Sequence, residues 1–344
     1  MKIFIFSWNT ASVCLAGDLE GLSKGIKPDF FIPLIKEIES ESPEIVIFGL
    51  QEDRYPGSYF QSHFLPQEMP KYGYKLIKKS SMMGVGVTSY KNLYNLDLMV
   101  RGLTTSIYIK TEMNAISEVE WYYTSSTRGK GGLIIHLLIN QEYISIGNVH
   151  MPFNSYSLIE TRKENDPMIR QNELNKTNIY FNEIVSNLMS NSPAIFFGDF
   201  NYRSSDPRPA TKIVEEIIND NYSPYYDELR QQMSRQNIYP FNEGIENKGP
   251  KFLPTCKLVK GRPDFISINN NIIPDFPKKP ISRDERGDLY YNVGKFNQRV
   301  PSHPDRILYT NLIICTRYES FDVGCAVKKS DHAPIIGVFQ LLKN

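Results

Sequence analysis

The 344-residue sequence lacks several features that would assign it to a special class of protein. No apolar run approaches the roughly 20 residues that a transmembrane helix needs. Lys2 is followed only by the short apolar run Ile3–Phe6, which argues against a signal peptide. The net charge is only +1, so no global field attracts nucleic acid or an anionic membrane. The sequence therefore predicts a soluble, cytoplasmic protein that attracts phosphate only locally.

Cysteine is scarce, and its four residues are scattered: Cys14, Cys256, Cys315 and Cys325. They form no C-x-x-C motif and no dense framework, which favours free thiols in a reducing compartment. The sequence also has no repeat, no low-complexity tract and no clear linker. Hydrophobic residues (41%) and charged residues (22%) have ordinary frequencies. We therefore expect one α/β domain that spans residues 1–344.

Apolar runs indicate strands, some of which alternate with helices. Lys2–Trp8 and Ile45–Leu50 are apolar on both faces, and a helix that begins near Pro28 lies between them, which favours a parallel crossover. Between Tyr74 and Val149, short strands without helices predict antiparallel meanders. The remaining predictions are helices at Met168–Met189 and Pro209–Asn219, irregular structure at Asn269–Pro301, and strands at Arg306–Cys315 and Ile335–Leu342.

The stretch 194–203, with the sequence AIFFGDFNYR, is the most informative one. Four apolar residues predict a short buried strand, after which Asp199, Asn201 and Arg203 occupy alternate positions. In an extended segment these three side chains point to the same side. A core strand gains nothing from three polar groups on one face. A site that binds and splits a phosphate ester would use them.

Polar residues also follow several other predicted strands. In layered α/β folds, functional groups gather at one end of the strands, because loops there vary while the sheet stays rigid. Each residue alone has a structural interpretation as a turn, a cap or a buried histidine. Together they predict one site, which is formed by Asn9, Glu52, His150, Asp199, Asn201, Asp305, Asp331 and His332.

These motifs resemble those of a known superfamily. The segment Gly198–Arg203 (GDFNYR), with Trp8-Asn9, Gln51-Glu52 and Ser330–His332 (SDH), is similar to the endonuclease/exonuclease/phosphatase superfamily of DNase-like metal hydrolases. Within it, the inositol polyphosphate 5-phosphatase branch is the most similar. That branch is marked by the Tyr-Arg continuation, a K-G-G turn (Lys130–Gly132), an F-x-P-T-x-K motif (Phe252–Lys257) and R-x-P-S-x-x-D-R-I-L (Arg299–Leu308).

The resemblance covers Trp8 to Pro334 and implies a fold. That fold is an α/β (α+β) four-layer sandwich, in which two mixed β-sheets pack face to face and helices cover the outer faces. It also implies a phosphatase that uses Mg²⁺, with Mn²⁺ as a substitute. The expected reaction removes the 5-phosphate of phosphoinositides or soluble inositol polyphosphates by in-line attack of a water molecule.

The resemblance further implies roles for individual residues. Asp199 is the expected base for the attacking water, and Asn201 orients that water or donates to the phosphoryl oxygens. His332 contacts the scissile phosphate and is held by Asp305, and His150 is a second phosphate-facing donor. Glu52 is the expected metal ligand, supported by Asn9 and Asp331. Additional phosphates of the substrate would meet Lys257, Arg299, Arg203 and Lys130.

Two departures from the branch put specificity in question. Cys256 stands where the branch usually has tyrosine, and Asn297 stands where it usually has lysine. Two structural alternatives remain open, a salt bridge between Asp305 and a nearby arginine such as Arg306, and a buried ion pair for Arg203.

Two functional alternatives also remain open. They are a nuclease or other phosphodiesterase, which the low net charge disfavours, and an inactive phosphoinositide-binding protein. We expect a monomer that does not bind nucleic acid. Contact with the membrane surface would involve exposed apolar loops, for which Tyr55–Phe60 and Ser81–Met83 are the candidates, although packing in the interior is the default expectation for both.

Overall fold

The computed structural model describes most of the chain. The described residues are 1–11, 28, 30–54, 60–90, 96–124, 130–139, 141–152, 167–188, 192–208, 210–218, 221–235, 241–256, 258, 278–281, 289–292, 300–321 and 330–342. Lys257, Arg299, Asn297, Tyr55–Tyr59, Cys14 and Cys325 lie outside them.

Within these residues, fourteen strands form two six-stranded sheets and a separate two-stranded one. Sheet A has the order β13-β14-β1-β2-β4-β3, and sheet B has the order β5-β6-β7-β8-β12-β9, while β10 pairs with β11. The strands are β1 (Lys2–Asn9), β2 (Ile45–Arg54), β3 (Tyr74–Tyr90), β4 (Leu96–Lys110), β5 (Ala115–Thr124), β6 (Gly131–Ile139), β7 (Glu142–His150), β8 (Ala194–Asp199), β9 (Asn242–Glu243), β10 (Lys278–Ile281), β11 (Leu289–Asn292), β12 (Asp305–Tyr309), β13 (Ile313–Ser320) and β14 (Ile335–Leu341).

The α-helices of the described residues lie between these strands. They are α1 (Phe31–Glu41), α2 (Leu65–Glu68), α3 (Pro167–Val185), α4 (Ala210–Ile218) and α5 (Glu228–Ser234). A π-helical turn spans Phe60–Phe64, and 3₁₀ turns span Met69–Tyr72, Pro224–Tyr226 and Ile245–Asn247. No helix of the described chain is long and apolar enough to cross a membrane.

Strand pairing confirms the predicted crossover and meanders. β1 and β2 are parallel, with α1 between them in sequence, and β7 and β8 are also parallel. β3 pairs with β4, and β5, β6 and β7 pair in succession, all antiparallel. Several strands extend beyond the predicted apolar runs; β2, for example, continues past Leu50 to Arg54.

Three apolar layers hold the sheets and helices together and confirm the predicted fold class. Ile3 and Ile5 of β1 point into the layer between the two sheets. Phe4, Phe6 and Trp8 alternate with them and pack under α1 on the outer face of sheet A. On the outer face of sheet B, α3 packs its own apolar residues, Leu174, Phe181, Ile184 and Val185. This alternation explains why β1 is apolar on both faces.

The two sheets approach each other closely where a glycine faces an aromatic ring. A Cβ atom on Gly49 of β2 would lie 2.0 Å from the ring of Phe197 on β8. A side chain at position 49 would therefore force the sheets apart. The close approach brings the ends of β2 and β8, which carry Glu52 and Asp199, into one region.

Two expectations about secondary structure are wrong. Arg306–Cys315 is not one strand, because a turn closed by a hydrogen bond from Ile313 N to Thr310 O (3.1 Å) carries the chain from sheet B to sheet A. The range Asn269–Pro301 is not wholly irregular, because it contains β10 and β11. Of the two candidate segments for membrane contact, Phe60 and Met82 are buried and pack in the interior, in line with the default expectation of packing, whereas Tyr55–Tyr59 lie outside the described residues.

Candidate active site

The ends of five strands meet in one region, as the sequence predicts. In sheet B, Asp199 at the end of β8 lies between His150 on β7 and Asp305 on β12 in the strand register. Sheet A contributes Asn9 from β1 and Glu52 from β2. The polar residues at these strand ends are buried, or nearly so, although they are charged or hydrogen-bonding groups.

Asp199 is the centre of this group. Its Oδ2 accepts a 2.8 Å hydrogen bond from Asn9 Nδ2 of the other sheet and lies 3.2 Å from His150 Nε2. Its Oδ1 accepts a 2.9 Å hydrogen bond from the backbone N–H of Asn201. Burial raises the pKa of Asp199, but the adjacent His150, which lies within hydrogen-bond distance, and the positive charges of His332 and Lys130 outweigh burial and hold the pKa well below its usual range. Asp199 is therefore ionised.

The backbone around Asp199 explains the glycine before it and corrects one expectation. Gly198 has a φ of 135°, and a Cβ atom there would lie 2.0 Å from Val149 O, so only glycine fits. The strand ends at Asp199, and Asn201 adopts a left-handed φ of 55°. The expectation of an extended Asp199–Arg203 segment is therefore wrong. Asn201 instead donates from Nδ2 to Met151 O (2.7 Å).

His332 and Asp305 form a buried pair beside Asp199. His332 Nδ1 lies 2.9 Å from Asp305 Oδ2, and that oxygen also accepts a 2.6 Å hydrogen bond from Thr255 Oγ1. Burial lowers the pKa of His332, but the Asp305 carboxylate outweighs burial and raises the pKa well above its usual value. The imidazole is therefore held as a cation.

The contact between Asp305 and His332 decides one of the open alternatives. Asp305 does not pair with Arg306. The Arg306 side chain instead contacts Asp227 and Glu243, because consecutive residues of β12 point to opposite faces of the sheet. The predicted contact with His332 is present.

His150, Lys130 and Glu52 form a second cluster at the edge of the site. Lys130 Nζ contacts His150 Nε2 and lies 3.8 Å from Glu52 Oε1. His150 Nε2 is 3.9 Å from the same carboxylate oxygen. Burial and then the Lys130 ammonium lower the pKa of His150, while the carboxylates of Asp199 and Glu52 act in the opposite direction. His150 is therefore the neutral histidine of the site.

Arg203 extends the site toward Cys256. Its guanidinium donates to Asn201 Oδ1 (3.3 Å) and to Cys256 Sγ (3.6 Å), while its backbone N–H donates to Glu228 on α5 (2.7 Å). Cys256 is fully buried and is a free thiol, as expected. The two other predicted phosphate-binding residues, Lys257 and Arg299, lie outside the described residues.

The acidic and amide groups of the site suit a hard divalent cation. Glu52 offers a carboxylate that is partly exposed (18%). Asn9 offers Oδ1, which accepts a 3.0 Å hydrogen bond from Ala11 N. Oxygen donors of this kind are the ligands of Mg²⁺ in proteins. The residues present therefore fit a magnesium-type site.

A second set of potential ligand atoms also lies in the site. Asp199, Asp305 and His332 each offer one atom, and these atoms lie within 4.8 Å of one another. Since His332 and Asp305 are hydrogen-bonded to each other, we interpret this set as an ion pair that faces a carboxylate. Asp331 is not a member of this set. Its backbone carbonyl accepts a 2.8 Å hydrogen bond from Leu258 N.

Several residues that support the site were not singled out from the sequence. Trp8 Nε1 donates to His332 O (2.9 Å), and Ser330 Oγ donates to Asn9 O (2.6 Å) and accepts from His332 N (3.1 Å). Thr255 holds Asp305. All three residues lie inside the motifs that carry the resemblance, so their place in those motifs is the sequence signal that could have identified them.

Comparisons with known proteins agree with this geometry. Residues 6–338 match the Endonuclease/Exonuclease/phosphatase family 2. A curated relative, phosphatidylinositol polyphosphate 5-phosphatase type IV of Mus musculus, is 29% identical over 155 residues. That match spans 42% of this chain and only 18% of the mouse protein.

Solved structures share the fold at low sequence identity. The inositol polyphosphate 5-phosphatase domain of SPsynaptojanin, in complex with inositol (1,4)-bisphosphate and calcium ion, has a TM-score of 0.59 and 19% identity, over 98% of this chain and 83% of that one. A ferrous nitric oxide complex of Cimex nitrophorin has a TM-score of 0.56 and 14% identity, over 100% of this chain and 99% of that one. The fold therefore occurs in proteins with different ligands, and function must be argued from the site.

The family match extends over nearly the whole chain and includes the strand ends that form the site. The resemblance to the inositol polyphosphate 5-phosphatase branch is also confirmed. The chain belongs to the endonuclease/exonuclease/phosphatase family.

Proposed function

We propose that this protein is a Mg²⁺-dependent phosphatase that removes the 5-phosphate from phosphoinositides or soluble inositol polyphosphates. The observation that carries the proposal is the presence of an ionised carboxylate, Asp199, beside the His332 imidazolium, which Asp305 holds, in one buried site. Phosphate ester hydrolysis requires a group that orients water and donors that stabilise charge on the phosphoryl oxygens. These two groups supply both.

Asp199 would orient the attacking water and accept its proton. Asn9 and Asn201 fix the direction of its carboxylate through both oxygens. The low pKa of Asp199 makes it a weak base but ensures that it is ionised at neutral pH. Its main contribution is therefore to position the water in line with the scissile bond.

His332 would stabilise the phosphoryl group. Because Asp305 engages Nδ1, Nε2 is the nitrogen that would donate to a phosphoryl oxygen. Its positive charge would stabilise the negative charge that develops on the phosphoryl oxygens in the transition state. Asp305 holds both the orientation and the charge of the ring, as carboxylates do for other catalytic histidines.

Glu52 would be the principal ligand of the divalent cation, with Asn9 and Asp331 in supporting positions. A bound cation would supply further positive charge for the phosphoryl oxygens. Either Mg²⁺ or Mn²⁺ fits the oxygen donors of Glu52, Asn9 and Asp331 by charge and ligand type. Lys130 Nζ lies 3.8 Å from Glu52 Oε1.

Selectivity for inositol phosphates would depend on the cations around the site. Each phosphate that neighbours the scissile one requires its own lysine or arginine. Arg203 and Lys130 lie in the described site, and Lys257 and Arg299 are proposed for the same task. From the sequence, we also propose that residues 1–344 form one domain and that the protein is a cytoplasmic monomer. It would contact membranes only peripherally.

The experiment is a phosphate-release assay on short-chain phosphoinositides and soluble inositol phosphates, with a parallel gel assay for cleavage of single-stranded DNA, each with and without Mg²⁺. We expect Mg²⁺-dependent phosphate release from the inositol compounds. Asp199→Ala should abolish it, while Asp206→Ala, which removes an acid paired with Arg208, should not. Cleavage of DNA without inositol phosphate turnover, or binding without turnover, would overturn the proposal.

A further inference from the structure

A β-bulge in β2 directs Glu52 toward the site. The pairing of β2 with β4 shifts between Leu50 and Asp53, so that Gln51 and Glu52 both lie opposite the single residue Leu103. An extra residue of this kind bends a strand and re-aims a side chain, and such bulges are frequent next to active sites. Glu52 adopts a left-handed φ of 51°, which is uncommon for a residue other than glycine.

Asn148 fills the gap that the bulge leaves in sheet A. It belongs to β7 of the facing sheet and is fully buried. Its Nδ2 donates to Leu50 O (3.3 Å), Thr104 O (3.0 Å) and Thr105 Oγ1 (3.1 Å). An amide from one sheet therefore satisfies backbone carbonyls on both strands beside the interrupted pairing in the other sheet.

Thr10 and Gln51 complete the support of the bulge. The backbone N–H of Thr10 donates to Gln51 O (2.9 Å), and its hydroxyl lies within hydrogen-bond distance of both Glu52 O (3.2 Å) and Gln51 O (3.3 Å). The Gln51 side chain donates from Nε2 to Asn148 Oδ1 (2.8 Å). Each backbone carbonyl of the segment from Leu50 to Glu52 thus has an identified donor, which allows the strained backbone to persist.

We infer that Asn148 is a positioning residue for the metal ligand Glu52, with Thr10 as a second support. Without these donors, the strand would relax toward regular pairing, and a one-residue change of register turns a side chain to the opposite face. Asn148 also lies two residues before His150 on β7, so one strand sets both His150 and the support for Glu52. The inference rests on the metal role given to Glu52 in the proposed function.

The test measures the affinity of the substrate-free protein for Mn²⁺ by isothermal titration calorimetry. We expect Asn148→Ala to raise the Kd for Mn²⁺ by about 10-fold, the lower end of the range for residues that orient metal ligands. Thr10→Val should raise it several-fold, whereas Thr10→Ser, which keeps the hydroxyl, should bind like the wild type. Ser145→Ala is the matched control, because Ser145 lies on β7 like Asn148 and the substitution removes a buried hydrogen bond to His136 on β6.

The outcomes separate the inference from the function on which it rests. Wild-type affinity in both Asn148→Ala and Thr10→Val, alongside weakened binding in Glu52→Gln, would overturn the positioning role alone. Equal affinity in the wild type and Glu52→Gln would overturn the metal role of Glu52 and the inference with it. An equal loss of affinity in Ser145→Ala would also overturn the inference, because the effect would then follow general destabilisation.

Discussion

Arg306 provides a strong test of the buried electrostatics of this fold. Its side chain is completely buried and neutralises two buried carboxylates. Nη1 lies 2.8 Å from Asp227 Oδ2, and Nε and Nη2 each lie 2.5 Å from the oxygens of Glu243. Asp227 also caps α5 by accepting a hydrogen bond from Arg230 N (2.9 Å). One guanidinium therefore links β12, β9 and α5.

The perturbation is Arg306→Met, which keeps the apolar stem and removes the charge. Breaking a buried ion pair by removing one partner costs about 3–5 kcal/mol, because an uncompensated charge stays in the interior. Here two carboxylates, at most 3% exposed, lose their partner. We therefore expect the free energy of unfolding to fall by about 4 kcal/mol.

Urea unfolding at pH 7 measures this change as a lower midpoint with an unchanged slope. The double variant R306M/E243Q removes one orphaned charge and keeps the shape of the side chain, so it should be more stable than R306M by about 1–3 kcal/mol. A loss below about 1 kcal/mol in R306M, or a double variant less stable than R306M, would refute the reasoning.

Three further predictions concern stability and catalysis. Burial and the charge of Arg306 lower the pKa of His303 to about 4. Because the unfolded chain binds this proton below about pH 6.5, the free energy of unfolding should fall by about 3 kcal/mol between pH 6.5 and 4. In urea unfolding, His303→Gln should remove that part of the pH dependence. Asp305→Asn should lower kcat by about 10²-fold or more with a smaller change in KM, measured by phosphate release; an unchanged kcat would contradict the role of Asp305. Gly198→Ala should lower the melting temperature far more than Gly73→Ala. A Cβ atom at Gly198 would lie 2.0 Å from Val149 O, whereas a Cβ atom at Gly73, which is also at positive φ, would meet no atom within 4 Å. An equal fall in melting temperature in the two variants would contradict the close approach.

The layers of the fold and the residues of the site follow from local patterns in the sequence. β1 is apolar on both faces because α1 covers one face and sheet B covers the other. Polar residues that interrupt such strands at their ends must find partners, and the parallel pairs β1–β2 and β7–β8 bring those ends together. The positions of Asn9, Glu52, His150 and Asp199 could therefore be predicted without coordinates.

Contacts between distant segments could not be predicted in this way. Asn148 and Gln51 are 97 residues apart, and Arg306 and Asp227 are 79 residues apart. Nothing local distinguishes Asn148 from an ordinary polar residue of a strand. The bulge at Glu52 could not be predicted from the sequence either, because it depends on the register of β4 and on an amide from the other sheet.

The most direct test of the proposed reaction is the product formed from inositol (1,4,5)-trisphosphate in the presence of Mg²⁺. The proposed mechanism predicts one equivalent of phosphate and inositol (1,4)-bisphosphate as the product, with no turnover of that product. It also predicts that Asp199→Asn lowers the rate by about 10²–10⁴-fold. Release of phosphate from another position, or full activity of Asp199→Asn, would contradict it.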